Sequence, residues 1–184
     1  MKINCTRHFC KSMGLLALVC AMGSCDFSQN PKTNSQKPET YTKEELLRIN
    51  ESRKQAEERR IKKYVERSGL PFTRTATGLR YYIYEKSEND LPAAAENQIA
   101  TINFTVNVLN GDTVYRSKPG RPAEFLIGKD HVESGLHEGI TYLKPGERAV
   151  LILPPHLAHG LAGDLKKIPM NATIIYDVHL LDVK

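Results

Sequence analysis

The side chains able to do chemistry are few and unevenly placed. All four cysteines, Cys5, Cys10, Cys20 and Cys25, fall in the first 25 of 184 residues. The remaining 159 residues carry no thiol, which excludes a disulfide framework and a thiolate metal site from them. Two histidine pairs, His131 with His137 and His156 with His159, raise the question of a metal by their spacing alone. The other reactive position is Cys25, whose thiol would be the only one left if residues 1–24 were removed.

The surroundings of Cys25 favour that removal. Lys2, Arg7 and Lys11 precede a ten-residue apolar run, Met13 to Met22. Ten residues are too few to span a hydrocarbon core of about 30 Å. A basic start, a short apolar stretch and the small pair Gly23-Ser24 make a secretory signal over residues 1–24. The ending resembles a bacterial lipobox, in which the chain is cut before the cysteine and its thiol takes a diacylglyceryl group. Met22 departs from the leucine usual there. An ordinary cleaved signal with a bystander cysteine is the other reading, and Cys20, behind the bulky Leu18-Val19, is a poorer site. The formal charge of +5 falls to 23 cations against 21 anions without residues 1–24, so no basic face asks for a nucleic acid.

The elements follow from pattern. Residues 25–41, rich in Ser, Asn, Gln, Pro and Lys, read as a flexible tether. Thr42 with Glu45 fits a capping box, and Ser68-Gly69 followed by Pro71 fits a stop, which predicts a charged helix over about residues 43–67 within a segment 42–68. Its apolar stripe, Leu46, Ile49, Ala56, Ile61, Tyr64 and Val65, holds no heptad. That favours a solvated spacer whose last turns pack on the domain over a partner-binding or dimerisation arm.

Residues 69–184 change to period two. Leu79, Tyr81 and Ile83 alternate with polar or exposed neighbours, as do Ala100, Ile102, Phe104, Val106 and Val108. Asn110-Gly111 predicts a hairpin and Val114-Tyr115 a return strand. Short strands follow at Ala123 to Ile127 and Ala149 to Leu153, and a longer one over 172–183. Val132, Leu136, Ile140 and Leu143 recur as one face of a short helix. The expected fold is α+β: a twisted antiparallel sheet of five to six strands wrapped on one short helix, with the charged helix ahead of it. The 18-residue segment 154–171 is long for a loop in a compact domain, and such loops are usually functional.

Several of these pieces, in order, resemble the FKBP-type prolyl isomerase family. They are the Asn110-Gly111 hairpin, Phe125-Leu-Ile-Gly128, Val132-Glu-Ser-Gly135-Leu-His-Glu-Gly139 and Leu143-Lys-Pro-Gly146-Glu-Arg148. Leu153-Pro-Pro155, Ala158-His-Gly160, Ile168-Pro169, Asn171-Ala-Thr173 and Tyr176-Asp-Val-His-Leu180 continue the series. The whole chain, with its lipobox-like start and charged helix, is similar to FKBP-type lipoproteins of Bacteroidetes-type bacteria, some of them associated with gliding motility.

The resemblance implies an enzyme that turns Xaa-Pro bonds of exported polypeptides, at a bacterial cell envelope and anchored through lipid on Cys25. It implies no cofactor, and the histidine-rich tails of its metal-binding members are absent, so no metal is expected. The implied pocket is Phe104, Val114, Tyr115, Ala123, Val132, Glu133, Leu136, His159, Ile168 and Tyr176. Phe104 and Tyr176 would be its aromatic walls, Val132 and Ile168 its apolar sides, and the Glu133 backbone N–H the donor to substrate. Several positions depart from the pattern. Leu136 replaces a tryptophan floor, Tyr115 an acidic residue, Val114 and Ala123 aromatics, and Asp164 a histidine near the mouth. His159 replaces a tyrosine whose donor role a ring nitrogen would take over. A wider, less aromatic pocket follows, with weaker catalysis and poor macrolide binding, and a binding module with a degenerate pocket is the alternative function.

Overall fold

The computed structural model describes residues 41–109 and 111–184, a compact unit beginning at Tyr41. The signal, Cys25, residues 25–40 of the tether and Asn110 of the hairpin turn lie outside the described residues.

Helix α1 spans Lys43–Ser68. Its start is the capping box: Glu45 N–H donates to Thr42 Oγ1 at 3.2 Å, and Thr42 N–H to Glu45 Oε2 at 2.8 Å. Gly69, at φ 65°, takes the left-handed turn that ends it. Strands follow in order: β1 (Thr73–Arg74), β2 (Arg80–Glu85), β3 (Ile99–Val108), β4 (Thr113–Arg116) and β5 (Ala123–Leu126). Helix α2 (Ser134–Ile140), strand β6 (Arg148–Leu153), a 3₁₀ turn over Pro155–Leu157 and strand β7 (Ile174–Val183) complete the chain.

All strand pairs are antiparallel, in the order β1-β2-β6-β7-β3-β4. Strand β5 lies beside the other end of β3, pairing Ile99–Ile102, while β4 pairs Thr105–Asn107. The count of seven exceeds the expected five to six through the added strand β1. Strand β1 has only two residues, and β4 and β5 are two pieces of one edge along β3.

Alternation sorts the strands onto two faces. Ala149, Leu151 and Leu153 of β6 and Ile174, Tyr176, Val178 and Leu180 of β7 join the main core beneath α2. Val150, Ile152 and Ile175 face the other way and pack with Ile61, Tyr64, Val65, Phe72 and Leu109. The last turns of α1 thus cover the sheet's second face, where Ile61 is buried. Glu57 accepts a hydrogen bond from Thr173, and Glu58 pairs with the buried Arg80 and with Arg74. The uninterrupted apolar run of β6 has its reason here, since both of its faces are covered.

Helix α2 sits very close to β6. A Cβ on Gly135 would fall 2.6 Å from Leu153 Cγ and 3.0 Å from Leu157 Cβ. One on Gly139 would fall 2.6 Å from Leu151 Cδ1. Gly135→Ala gains about 1 kcal/mol of helix propensity but forces buried neighbours apart at about 1–3 kcal/mol. The expected net result is destabilisation of up to about 2 kcal/mol, read from the urea midpoint; a stabilised variant would contradict the close packing.

Candidate functional site

The register of the sheet places aromatic side chains in one row. Val106 of β3 stands opposite Tyr115 of β4 on one side and Tyr176 of β7 on the other. Residues directly opposite across a sheet share a face, so Tyr115, Val106 and Tyr176 point the same way. Phe104, two residues back on β3, shares that face, and its ring lies 5.8 Å from the Tyr176 ring at 52°. This tilted geometry is a favoured aromatic pairing. Tyr176 and Leu136 of α2 are buried in the core, as is Ile168 of the loop 154–171. Phe104, Val114, Tyr115, Ala123 and Val132 pack against the same core while remaining half-buried. The arrangement is an apolar surface between the sheet, the start of α2 and the loop.

Glu133 and His159 are joined to that surface by polar contacts. The Tyr176 hydroxyl donates to Glu133 Oε2 at 2.9 Å, and His159 Nε2 lies 2.8 Å from Glu133 Oε1. A carboxylate against an apolar wall is costly unless its oxygens meet polar partners, and each of these has one beside it. Burial, and then the Glu133 charge and hydrogen bond, push the Tyr176 phenol far above its usual range. It remains a neutral donor at every physiological pH. His159 Nε2 is turned toward Glu133. The clamp joins three elements: the entry to α2, strand β7 and the loop.

A second clamp holds the other side of the loop. The Tyr115 hydroxyl donates to Asp164. Asp164 Oδ1 accepts the backbone N–H groups of Lys166 (2.9 Å), Lys167 (2.9 Å) and Ile168 (2.7 Å). Lys167 Nζ donates to the Val114 carbonyl at 3.1 Å and lies 5.3 Å above the Tyr115 ring. Gly163 has φ 67°, and a Cβ there would strike the Ile168 carbonyl oxygen at 2.3 Å, so the turn admits glycine alone. Tyr115 and Asp164 are separate departures in the sequence; in space they are partners.

The histidine pairs do not converge. His156 Nε2 donates to the Thr77 carbonyl at 2.8 Å, whereas His159 turns to Glu133. Gly128 N–H donates to His137 Nδ1 at 2.8 Å, which leaves Nε2 to donate to the Asp130 carbonyl at 3.0 Å. Among the described residues no three His, Cys, Asp or Glu side chains come together to hold a metal ion.

Sequence reasoning assigned Glu133 its backbone N–H and passed over its carboxylate. The available signal was a lone acid between Val132 and Leu136 in an otherwise apolar set. A cleft of about 770 Å³ lies elsewhere, between α1 and the near side of the loop.

Asp164 supplies a test of the second clamp. Its burial works to raise its pKa, but the Tyr115 hydroxyl and the three backbone N–H groups outweigh that and hold it well below the usual carboxylate range. A depressed native pKa gives stability that is complete above the unfolded-state value, about 3.9, and is lost as pH falls below it. Urea midpoints measured from neutral pH down to about pH 3 are expected to fall less steeply for Asp164→Asn than for the parent. Parallel curves would show that the carboxylate contributes nothing.

Comparison with known proteins matches this region to one family. The domain family described as FKBP-type peptidyl-prolyl cis-trans isomerase covers residues 92–181. The chain is 34% identical over 127 residues to the FKBP-type peptidyl-prolyl cis-trans isomerase FkpA of Buchnera aphidicola, covering 67% of this chain and 47% of that protein. It is 34% identical over 111 residues to FkpA of Escherichia coli K12, covering 60% of this chain and 39% of that protein. It is 40% identical over 83 residues to FK506-binding protein 2 of Dictyostelium discoideum, covering 45% of this chain and 62% of that protein. The chain thus spans less than half the length of the FkpA relatives. The crystal structure of E. coli FkpA superposes with a TM-score of 0.60 at 28% identity, covering 79% of this chain and 74% of the other. Through residues 92–181 the chain belongs to the FKBP-type peptidyl-prolyl cis-trans isomerase family.

Proposed function

We propose that the protein isomerises Xaa-Pro bonds of exported polypeptides at the cell envelope, held there by a lipid on Cys25. The observation that carries the reading is the joining of Phe104, Val132, Leu136, Ile168 and Tyr176 into one apolar surface, in a domain of this family. Rotation about a peptide bond faces a barrier of about 18–20 kcal/mol set by amide resonance. The twisted imide has lost that resonance and is less polar than the planar one. An apolar, water-poor wall therefore binds the twisted form better, and differential binding of this kind lowers the barrier without nucleophile or metal. The proline ring rests between Phe104 and Tyr176, and the Glu133 backbone N–H donates to the substrate carbonyl.

The substitutions shape this activity. Leu136 offers less stacking area than tryptophan, so turnover is slower than in efficient members and macrolides bind poorly. The carboxylate of Glu133 beside Tyr176 favours a second reading, a binding or chaperone module of a surface machine such as one for gliding, whose pocket holds chains without turning them efficiently.

The purified protein is expected to accelerate cis-to-trans conversion of a proline tetrapeptide, and Tyr176→Asp to lose on the order of 100-fold in kcat/KM. A parent protein that leaves the uncatalysed rate unchanged refutes the enzyme and leaves the binding module. Cys25→Ala is expected to move the protein from the membrane to the soluble fraction; unchanged fractionation rules out the lipid on Cys25.

A further inference from the structure

The loop 154–171 has two sides. His159 meets Glu133 and Ile168 joins the apolar surface proposed to hold proline, while Pro155, His156, Gly160, Leu161, Met170 and Asn171 line the cleft of about 770 Å³ against α1. The loop is pinned as a unit, with Gly160 N–H donating to the Pro155 carbonyl at 2.8 Å and Asn171 N–H to the Gly160 carbonyl at 3.0 Å. His159 lies between two cleft-lining residues, so cleft and pocket are opposite sides of one short piece of chain.

The cleft is apolar where the loop supplies it and basic where α1 does. Leu161 is 66% exposed and Met170 71%; with Leu165 they are the most exposed large apolar side chains among the described residues, and all three belong to this loop. Covering such side chains with a bound segment removes apolar surface from water, which favours binding here. Across the cleft stand Arg53, Lys54, Arg60 and Arg74 against two carboxylates, Glu57 and Glu58. Both carboxylates are engaged, Glu57 by Arg60 and Thr173, Glu58 by Arg80 and Arg74. Arg53 and Lys54 have no such partner among the described residues.

We propose that this cleft is a second binding site, which holds an extended, unfolded polypeptide segment carrying acidic and apolar side chains. Acidic groups of that segment pair with Arg53 and Lys54, and its apolar groups cover Leu161 and Met170. The inference builds on the isomerase reading, because a client held in the cleft keeps its prolines near the pocket on the loop's other side. Its volume lies within the range of ordinary ligand sites, enough for a few residues of extended chain. Retention of this kind raises the local concentration of proline substrate without adding a contact to the pocket.

The test uses the full-length protein and reduced, carboxymethylated α-lactalbumin, an acidic chain that stays unfolded. Arg53→Glu with Lys54→Glu is expected to weaken binding at least about 10-fold, equivalent to about 1.4 kcal/mol, with tetrapeptide isomerisation unchanged. Leu161→Ser with Met170→Ser is expected to weaken binding as well. Added salt should loosen the parent complex more than the charge-reversed one. Equal binding by the charge-reversed protein, or equal binding of a basic unfolded chain of similar length, overturns the proposal. Binding that appears only after residues 26–40 are deleted assigns the cleft to the chain's own tether and also overturns it. A parent that binds the acidic chain with these dependences but turns no tetrapeptide removes the isomerase reading and leaves the cleft in place.

Discussion

Helix α2 can approach the sheet because Gly135 and Gly139 present bare backbone to Leu153 and Leu151, and the positions around the apolar surface follow from that approach. With the helix close, Leu136 is buried in the core and Val132 and Glu133 are carried to the rim beside β7. A methyl group at Gly135 would collide with Leu153 and press on Leu157, and one at Gly139 would collide with Leu151, so helix and sheet could not keep this spacing unchanged. The site is therefore a product of backbone packing before it is a collection of side chains. Its apolar wall is the same core that stabilises the domain, which is why few of its residues look specialised.

The long loop is ordered by polar contacts rather than by a core of its own. Glu133 with His159 holds one side, and Tyr115 with Asp164 and Lys167 holds the other. Each clamp joins the loop to a different element, α2 and β7 in the first case and β4 in the second. The loop stays close to the sheet although Leu161, Leu165 and Met170 point to solvent. Charge-assisted hydrogen bonds of this kind are stronger than neutral ones, and they also fix geometry. A loop fixed at both sides is a suitable wall for a binding surface on each.

The outer helix ties a second layer to this arrangement. Ile61, Tyr64 and Val65 cover Ile152 and Ile175, so the sheet is buried on both faces near its centre. Glu58 compensates the buried guanidinium of Arg80, a charge that would otherwise be costly in that position. The N-terminal turns of α1, with Leu46 and Leu47 exposed, extend beyond this contact. The same helix that completes the fold thus supplies the basic side of the cleft.

Much of this was legible in the residues. Period-two alternation in 99–108 and 174–183 marked the inner face, the Thr42–Glu45 box and Gly69 bounded α1, and the ordered motifs from Phe125 to Leu180 carried the family. Strand β1 was less legible, because two residues are too few to show an alternation. The partnerships Glu133–Tyr176, Glu133–His159 and Tyr115–Asp164 were not legible at all, being 43, 26 and 49 residues apart in a chain read one position at a time. Local propensity and periodicity are written into neighbouring residues, so the sequence by itself determined the elements, their inward faces and the family. Which acid meets which hydroxyl depends on how α2, β7 and the loop close on one another, and only the tertiary structure decided that.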